Sequence, residues 1–334
     1  MQEAFARKGL VDPARLRDLN RKSDLRGWLQ MASHLGAILA TGILLHLTWG
    51  TLWAIPVFML HGTLIAFTYA AQHELSHATV FKTRWLNEAF GRLIGFIQLF
   101  PRDFDQVQHF AHHRHTQMWE DDGELQREPY DMKSYLLWLL GPTYWWTRVT
   151  RIARLARGIV VERYVRADEK PRIIREARIH VALYAAIALV SCATGTWAAL
   201  TLWLAPMIVM KPVQQLQNTI EHLGLGHHDN ILENTRTVDT IAPLRWMGWN
   251  MQYHTAHHTF PSVPFHRLAD LHTEIVTRTG KEPHTMGYLE FQREILARFA
   301  GGKSEADYPE GEAWVISGRQ RNARESAGAA VAVE

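Results

Sequence analysis

The 334-residue chain has one cysteine, Cys192. A lone cysteine excludes an intrachain disulfide, a Cys-rich zinc site and a thiolate-bound iron–sulfur cluster. Cys192 lies in an apolar run and reads as a small core residue. The chain also lacks a strong charge of one sign. Its net charge is +3, too weak a bias to point to a nucleic-acid partner, and none is expected. The first eighteen residues, MQEAFARKGLVDPARLRD, have neither the apolar centre nor the small-residue cleavage site of a secretory signal. No internal repeat is evident. With 47% apolar residues the chain can build one large domain or two small ones.

The most informative absence is that of charge. Asp, Glu, Lys and Arg are missing from Trp28 to Gln72 and again from Ile179 to Met210. A membrane-spanning helix needs about 20 apolar residues. Each stretch therefore fits two spans, the first pair turning near Thr48–Gly50. The second pair turns near Thr194–Thr196 and continues past Lys211 toward Ile220. The competing reading is two buried hairpins in a large soluble helical protein. Basic residues sit beside the pairs and not in their turns: Arg15, Arg17, Arg21, Lys22 and Arg26 before the first, and Arg148 to Arg178 before the second. The positive-inside rule then puts both termini, and both ends of each hairpin, in the cytoplasm.

The expected architecture is all-α: four transmembrane helices in two hairpins, with a cytoplasmic helical cap. Residues 1–27 form a cytoplasmic N-terminal segment, 28–300 the integral-membrane domain with its cap, and 301–334 a mostly disordered tail. Leu86–Phe100 and Tyr135–Thr147 are apolar but too short to cross. Trp138, Tyr144, Trp145 and Trp146 read as interface anchors. The arginines of Arg148–Arg157 read either as a stripe for anionic headgroups or as a solvated face.

Against this background nine histidines fall into four groups: His73 and His77; His109, His112 and His113; His222; and His254, His257 and His258. Residues three and four apart share a helix face, so H-x-x-x-H and H-x-x-H-H each aim imidazoles at one point. Imidazole is a ligand for zinc, copper, iron or nickel. Nine exceed the needs of one tetrahedral ion; two ions with four or five nitrogens each would use them all. Asn218, four residues before His222, suits holding a metal-bound water. If the second and fourth spans start near Thr51 and Trp197, His73 and Asn218 lie about 32 Å along them. The hydrocarbon core is roughly 30 Å thick, so both groups would emerge at one membrane face.

Other histidines read differently. His115 lies off the shared face. His227 and His228 follow glycines that end a helix. His266 and His272 are peripheral. His34, His46, His61 and His180 have no partner at ligand spacing and read as packed or hydrogen-bonded interior residues. Among Glu120, Asp121 and Asp122, a carboxylate could take the second N–H of a metal-bound imidazole, although a solvated loop fits most of that run. His73-Glu74-Leu75-Ser76-His77 taken alone also matches the zinc-protease helix H-E-x-x-H, but that chemistry needs one further ligand, not seven.

The segments HELSH, HFAHH, NTIEH and HTAHH, followed by FPSVPFHRL, resemble those of the membrane fatty acid desaturase superfamily, the histidine-box di-iron enzymes. The match runs from residue 73 to about 268. The resemblance implies that His73, His77, His109, His112, His113, His222, His254, His257 and His258 bind two irons, with Asn218 in water-mediated contact. It implies O2 as co-substrate and no bound nucleotide. The substrate would be a membrane lipid or acyl chain in a tunnel entered from the membrane interface, and its oxidation a desaturation. Hydroxylation, ketolation and decarboxylation are the sister outcomes. No segment looks like a fused redox module, so a separate donor of ferredoxin, rubredoxin or cytochrome b5 type is expected. A membrane zinc peptidase using His73, Glu74 and His77 is the reading from another class.

Overall fold

The computed structural model describes residues 7–307, 313–319 and 321. These divide into two compact units, one of residues 23–110 and 137–215, the other of the described residues within 1–22, 111–136 and 216–334.

The first unit holds the apolar helices. Helix α1 (Asp24–Thr48) starts at Ser23, whose hydroxyl accepts from the Arg26 N–H. Helix α2 (Ala54–Ser76) follows a turn in which Gly50 takes φ +85°. Helices α3 (Arg84–Ile97), α4 (Arg102–Arg114), α5 (Pro142–Ala156) and α6 (Lys170–Thr194) complete the unit together with the first part of α7 (Ala205–His222). Helix α4 passes into the second unit at residue 111 and α7 at residue 216. Helices α1, α2 and α6 are long and apolar enough to cross a membrane. Phe100, Phe104, Val107, Leu155, Val165 and Ile173 form a buried apolar core in this unit.

The fourth expected crossing is built in two pieces, a π-helical turn at Leu200–Leu204 and then α7, and it is not among the three membrane-length apolar helices. Its sequence explains the break. Pro206 has no N–H, so the carbonyl four residues earlier, Leu202, loses its helical donor. In an apolar setting that carbonyl must find another. His61 Nε2 donates to it at 2.8 Å, while its Nδ1 meets Thr41 Oγ1 at 2.8 Å. The neighbouring Gly62 makes the approach possible: a Cβ there would lie 2.2 Å from the Pro206 carbonyl oxygen.

Several expectations are corrected. Cys192 is exposed on α6 rather than in a core, because an apolar run in a membrane-length helix need not face protein. His46 is also exposed, near the end of α1. Arg148 and Tyr144 are buried in protein rather than lying on a surface stripe or an interface belt, because they share one face of α5 that packs inward.

The second unit carries α8 (His254–Thr259), α9 (Leu268–Thr279) and α10 (Tyr288–Ala300). It also holds a two-stranded parallel ladder, β1 (Thr237–Asp239) on β2 (Thr285–Gly287), a departure from an all-α architecture. Phe260 and Pro261 stop α8 directly after its histidines. The buried Arg236 guanidinium donates to the carbonyls of Ile220, Leu223 and Val315. Trp314 and Val315 are themselves buried, and Glu305 pairs with Arg127 at 2.7 Å. Part of the expected disordered tail is therefore packed. Its Gly- and Ala-rich composition concealed two apolar anchors. Residues 308–312, 320 and 322–334 of that tail lie outside the described residues.

Candidate metal centre

In the second unit, His112 at the end of α4, His222 at the end of α7, and His254 and His258 on α8 bring one ring nitrogen each within 4.8 Å of the others. His254 Nε2 lies 3.1 Å from His222 Nε2 and 3.1 Å from His258 Nε2. Four nitrogens placed tetrahedrally about 2.1 Å from one ion stand roughly 3.4 Å apart, so these separations suit a shared cation.

The far sides of the rings decide which nitrogen faces inward. His222 Nδ1 lies 3.1 Å from the Asn234 carbonyl oxygen, which can only accept. His112 Nδ1 lies 2.9 Å from both oxygens of Asp122, which also accepts from the N–H groups of Gln117 and Glu124. Thr116 Oγ1 donates to the His112 carbonyl, leaving its oxygen to accept from His258 Nδ1 at 3.1 Å. In each case the proton is held on Nδ1, and Nε2 keeps its lone pair for a metal. The donor set fits a cation that accepts neutral imidazoles.

Electrostatics point the same way. Burial, reinforced by His112, pulls His222 down to about 3. Burial likewise holds His258 well below the usual histidine value. Both stay neutral at physiological pH. His112 is the exception: burial works against its charge, but the Asp122 carboxylate more than offsets that, and it is pushed up to about 9. Burial pushes the Glu221 carboxyl, 3.7 Å from His254 Nδ1, up to about 8.

A pH dependence follows. Below about pH 9 a metal must displace the His112 proton, so affinity should rise by about tenfold per pH unit from 6 to 9 and then level. In chelated protein the sign is opposite. The His112–Asp122 pair contributes stability fully present below pH 6.5, lost as pH rises through about 9. Isothermal titration with Zn2+ and thermal melts across this window check both.

In the first unit, His73 and His77 at the end of α2 meet His109 of α4. His77 Nε2 lies 2.8 Å from His109 Nε2, and the His73 and His109 ring centroids are 4.1 Å apart. In the second unit His257 Nε2 lies 3.2 Å from His113 Nε2, and the His113 ring stacks on His258 at 4.1 Å. Glu74 is fully buried, with Oε2 accepting from the Thr79 hydroxyl at 3.1 Å. Asn218 is half-buried on α7, one turn before His222.

The remaining histidines stand apart from these groups. His115 is exposed. His227 donates from Nδ1 to the Gln117 carbonyl and stacks on Trp119, and His228 lies beside Glu233. His34 and His61 bond to backbone carbonyls. Sequence reasoning raised Asp122 but missed Asn234 and Thr116 as orienting partners. Thr116 carries a usable signal, since it lies one helical turn after His112.

The model of the fatty acid desaturase family matches residues 47–289. The chain is 25% identical over 282 residues to an sn-1 oleoyl-lipid 12-desaturase of Synechocystis sp., covering 78% of each chain. It is 20% identical over 278 residues to the sn-1 oleoyl-lipid 12-desaturase of Picosynechococcus sp., covering 77% of this chain and 78% of that one. A fatty acid conjugase of Calendula officinalis is 23% identical over 256 residues, covering 67% of this chain and 66% of its own.

Proposed function

The chain belongs to the fatty acid desaturase family, and from that membership we propose that it is an oxygen-dependent di-iron desaturase of an acyl chain or similar lipid. One iron would be held by His112, His222, His254 and His258. The other would be held by His73, His77, His109, His113 and His257, with Asn218 holding a water beside the centre. The observation that carries the reading is the quartet, three of whose members are buried and three of whose rings are oriented by Asp122, Asn234 and Thr116. For the second set, the support is α4, which carries His109 and His113 one turn apart.

When bound, the irons supply activation of O2 and removal of hydrogen from an unactivated methylene. O2 accepts four electrons, two from the substrate as –CH2–CH2– loses two hydrogens to become –CH=CH– and two from an external donor, and with two further protons from solvent leaves as two waters. The protein positions the imidazoles. Asp122, fixed by two backbone N–H groups, keeps the His112 ring from turning.

The apolar helices α1, α2 and α6 support a membrane location. Four crossings, with both termini and the metal site on the cytoplasmic face, fit the distribution of Lys and Arg. The electron donor would be a separate ferredoxin, rubredoxin or cytochrome b5 type protein.

Metal analysis of protein expressed in iron-replete medium tests the proposal. Two irons per active chain are expected, falling by about one in His257→Ala with product formation lost. One zinc per active chain, with Glu74→Gln inactive and His257→Ala active, would replace it with peptidase chemistry.

A further inference from the structure

A second polar cluster lies inside the apolar unit, built from residues other than the histidines that the proposed reaction uses. Lys211 on α7 is fully buried, and Arg148 on α5 is 8% exposed. Neither forms an ion pair with a carboxylate among the described residues. Lys211 Nζ sits 4.0 Å from the Tyr144 ring centroid and 5.2 Å from that of Tyr69, and it donates to the Gln214 side-chain oxygen. The Arg148 guanidinium stacks over Phe100 at 3.1 Å and lies 4.7 Å from the same Tyr144 ring. Three polar atoms here lack a hydrogen-bond partner: the donors Arg148 Nη1 and Trp145 Nε1, and the Tyr144 hydroxyl, which Arg148 and Lys211 flank.

Two buried cations around one phenol ring, with no opposing carboxylate, are an expensive arrangement to keep. A buried charge is tolerated when it is paired. The aromatic faces of Tyr144, Tyr69 and Phe100 relieve part of the cost through cation–π contact, but they satisfy neither orphan donor. An oxyanion seated between them would accept from both. The cluster adjoins one of the proposed metal ligands: Tyr69 precedes His73 by one turn of α2 on the same face.

We propose that Lys211, Arg148 and Trp145 clamp an oxyanion at the head of the aliphatic substrate. The inference rests on the proposed oxidation of an acyl chain and narrows the substrate to one with a charged head. A free fatty acid supplies that group as a carboxylate, and an anionic lipid supplies it as a phosphate.

Equilibrium binding to the iron-loaded full chain in neutral phosphatidylcholine nanodiscs tests this, with labelled hexadecanoate, methyl hexadecanoate and hexadecyl phosphate as probes. Hexadecanoate should bind about 30-fold tighter than the methyl ester, the scale of a buried charge pair. Lys211→Met and Arg148→Met should each bring that ratio to within about threefold, leaving the ester unaffected. Tight binding of hexadecyl phosphate without hexadecanoate would identify a headgroup phosphate as the oxyanion. Equal binding of all three probes by the unaltered protein would overturn the proposal.

Melting temperatures guard against misfolding. Removing an unpaired buried charge should raise the Tm of ligand-free Lys211→Met and abolish the shift that hexadecanoate induces. A lowered Tm with the acid preference intact in the folded protein means a structural role only, and the clamp falls. Iron is measured in the same samples. Acid preference without iron would remove the oxidative reading and keep the clamp, whereas iron without acid preference would do the reverse.

Discussion

His258→Ala is expected to abolish product formation, by at least about three orders of magnitude, because in the proposed reaction the metal centre would be the reactive group rather than an aid to it. His258 is fully buried, its Nε2 is 3.1 Å from that of His254, and its ring contacts those of His112, His113 and His222. No other side chain can replace it, since the quartet has one imidazole from each of two helix ends and two from α8. Alanine leaves three nitrogens and a space lined by polar atoms that water can enter. Mass spectrometry of host lipids and small acids, with and without the substitution, reads the effect on activity. Iron content of the purified variant should fall by about one ion, while the fold survives because the site's other partners remain. An unchanged product profile together with full iron content would sink the assignment of this residue.

Gly62→Leu is expected to eliminate accumulation of folded protein in the membrane fraction. A Cβ at Gly62 would stand 2.2 Å from the Pro206 oxygen and 2.6 Å from its carbonyl carbon. Both are backbone atoms that no rotamer change can move aside. Small residues at helix contacts allow this kind of approach in apolar surroundings. The displacement would also separate His61 from the Leu202 carbonyl that Pro206 leaves without a donor. Overpacking costs about 1–3 kcal/mol where neighbours can adjust, and here the obstacle is main chain with a buried hydrogen bond behind it. Gly62→Ala should show the same defect in milder form, and fluorescence-detected size-exclusion chromatography separates the two. Wild-type levels of monodisperse Gly62→Leu would refute the close contact.

The histidine grouping was legible because it is a matter of local period. His254, His257 and His258 need only an α-helix to share a face, and the prolines that follow end it. The turns at Gly50 and Gly195 were legible from glycine and the end of apolar runs. What was not legible depends on contacts far apart in sequence. Nothing near His222 announces that the Asn234 carbonyl holds its Nδ1, since backbone acceptors leave no mark in a sequence. Tyr144 read as an interface anchor from its aromatic neighbours and Arg148 as part of an arginine stripe or solvated face from the three-residue spacing, and only the packing of α5, which buries both and leaves Trp146 and Val149 exposed, separates the faces. The parallel ladder pairs Val238 with Met286 through strands of three residues, too short for any alternation to register. The break before α7 was present in Pro206, yet a proline inside an apolar run fits a kinked span as well as a π-turn.

The spread of the quartet along the chain has a consequence for biosynthesis. His112 leaves the ribosome first, His222 more than a hundred residues later, and His258 last, so the complete cage exists only once most of the polypeptide has been made. Closing so long a loop carries an entropic penalty that grows only slowly with its length, and the arriving ion offsets it at the final step. On the proposed reading, metal delivery would be a late event, and a nascent chain stalled before His254 should hold the ion far more weakly than the finished protein.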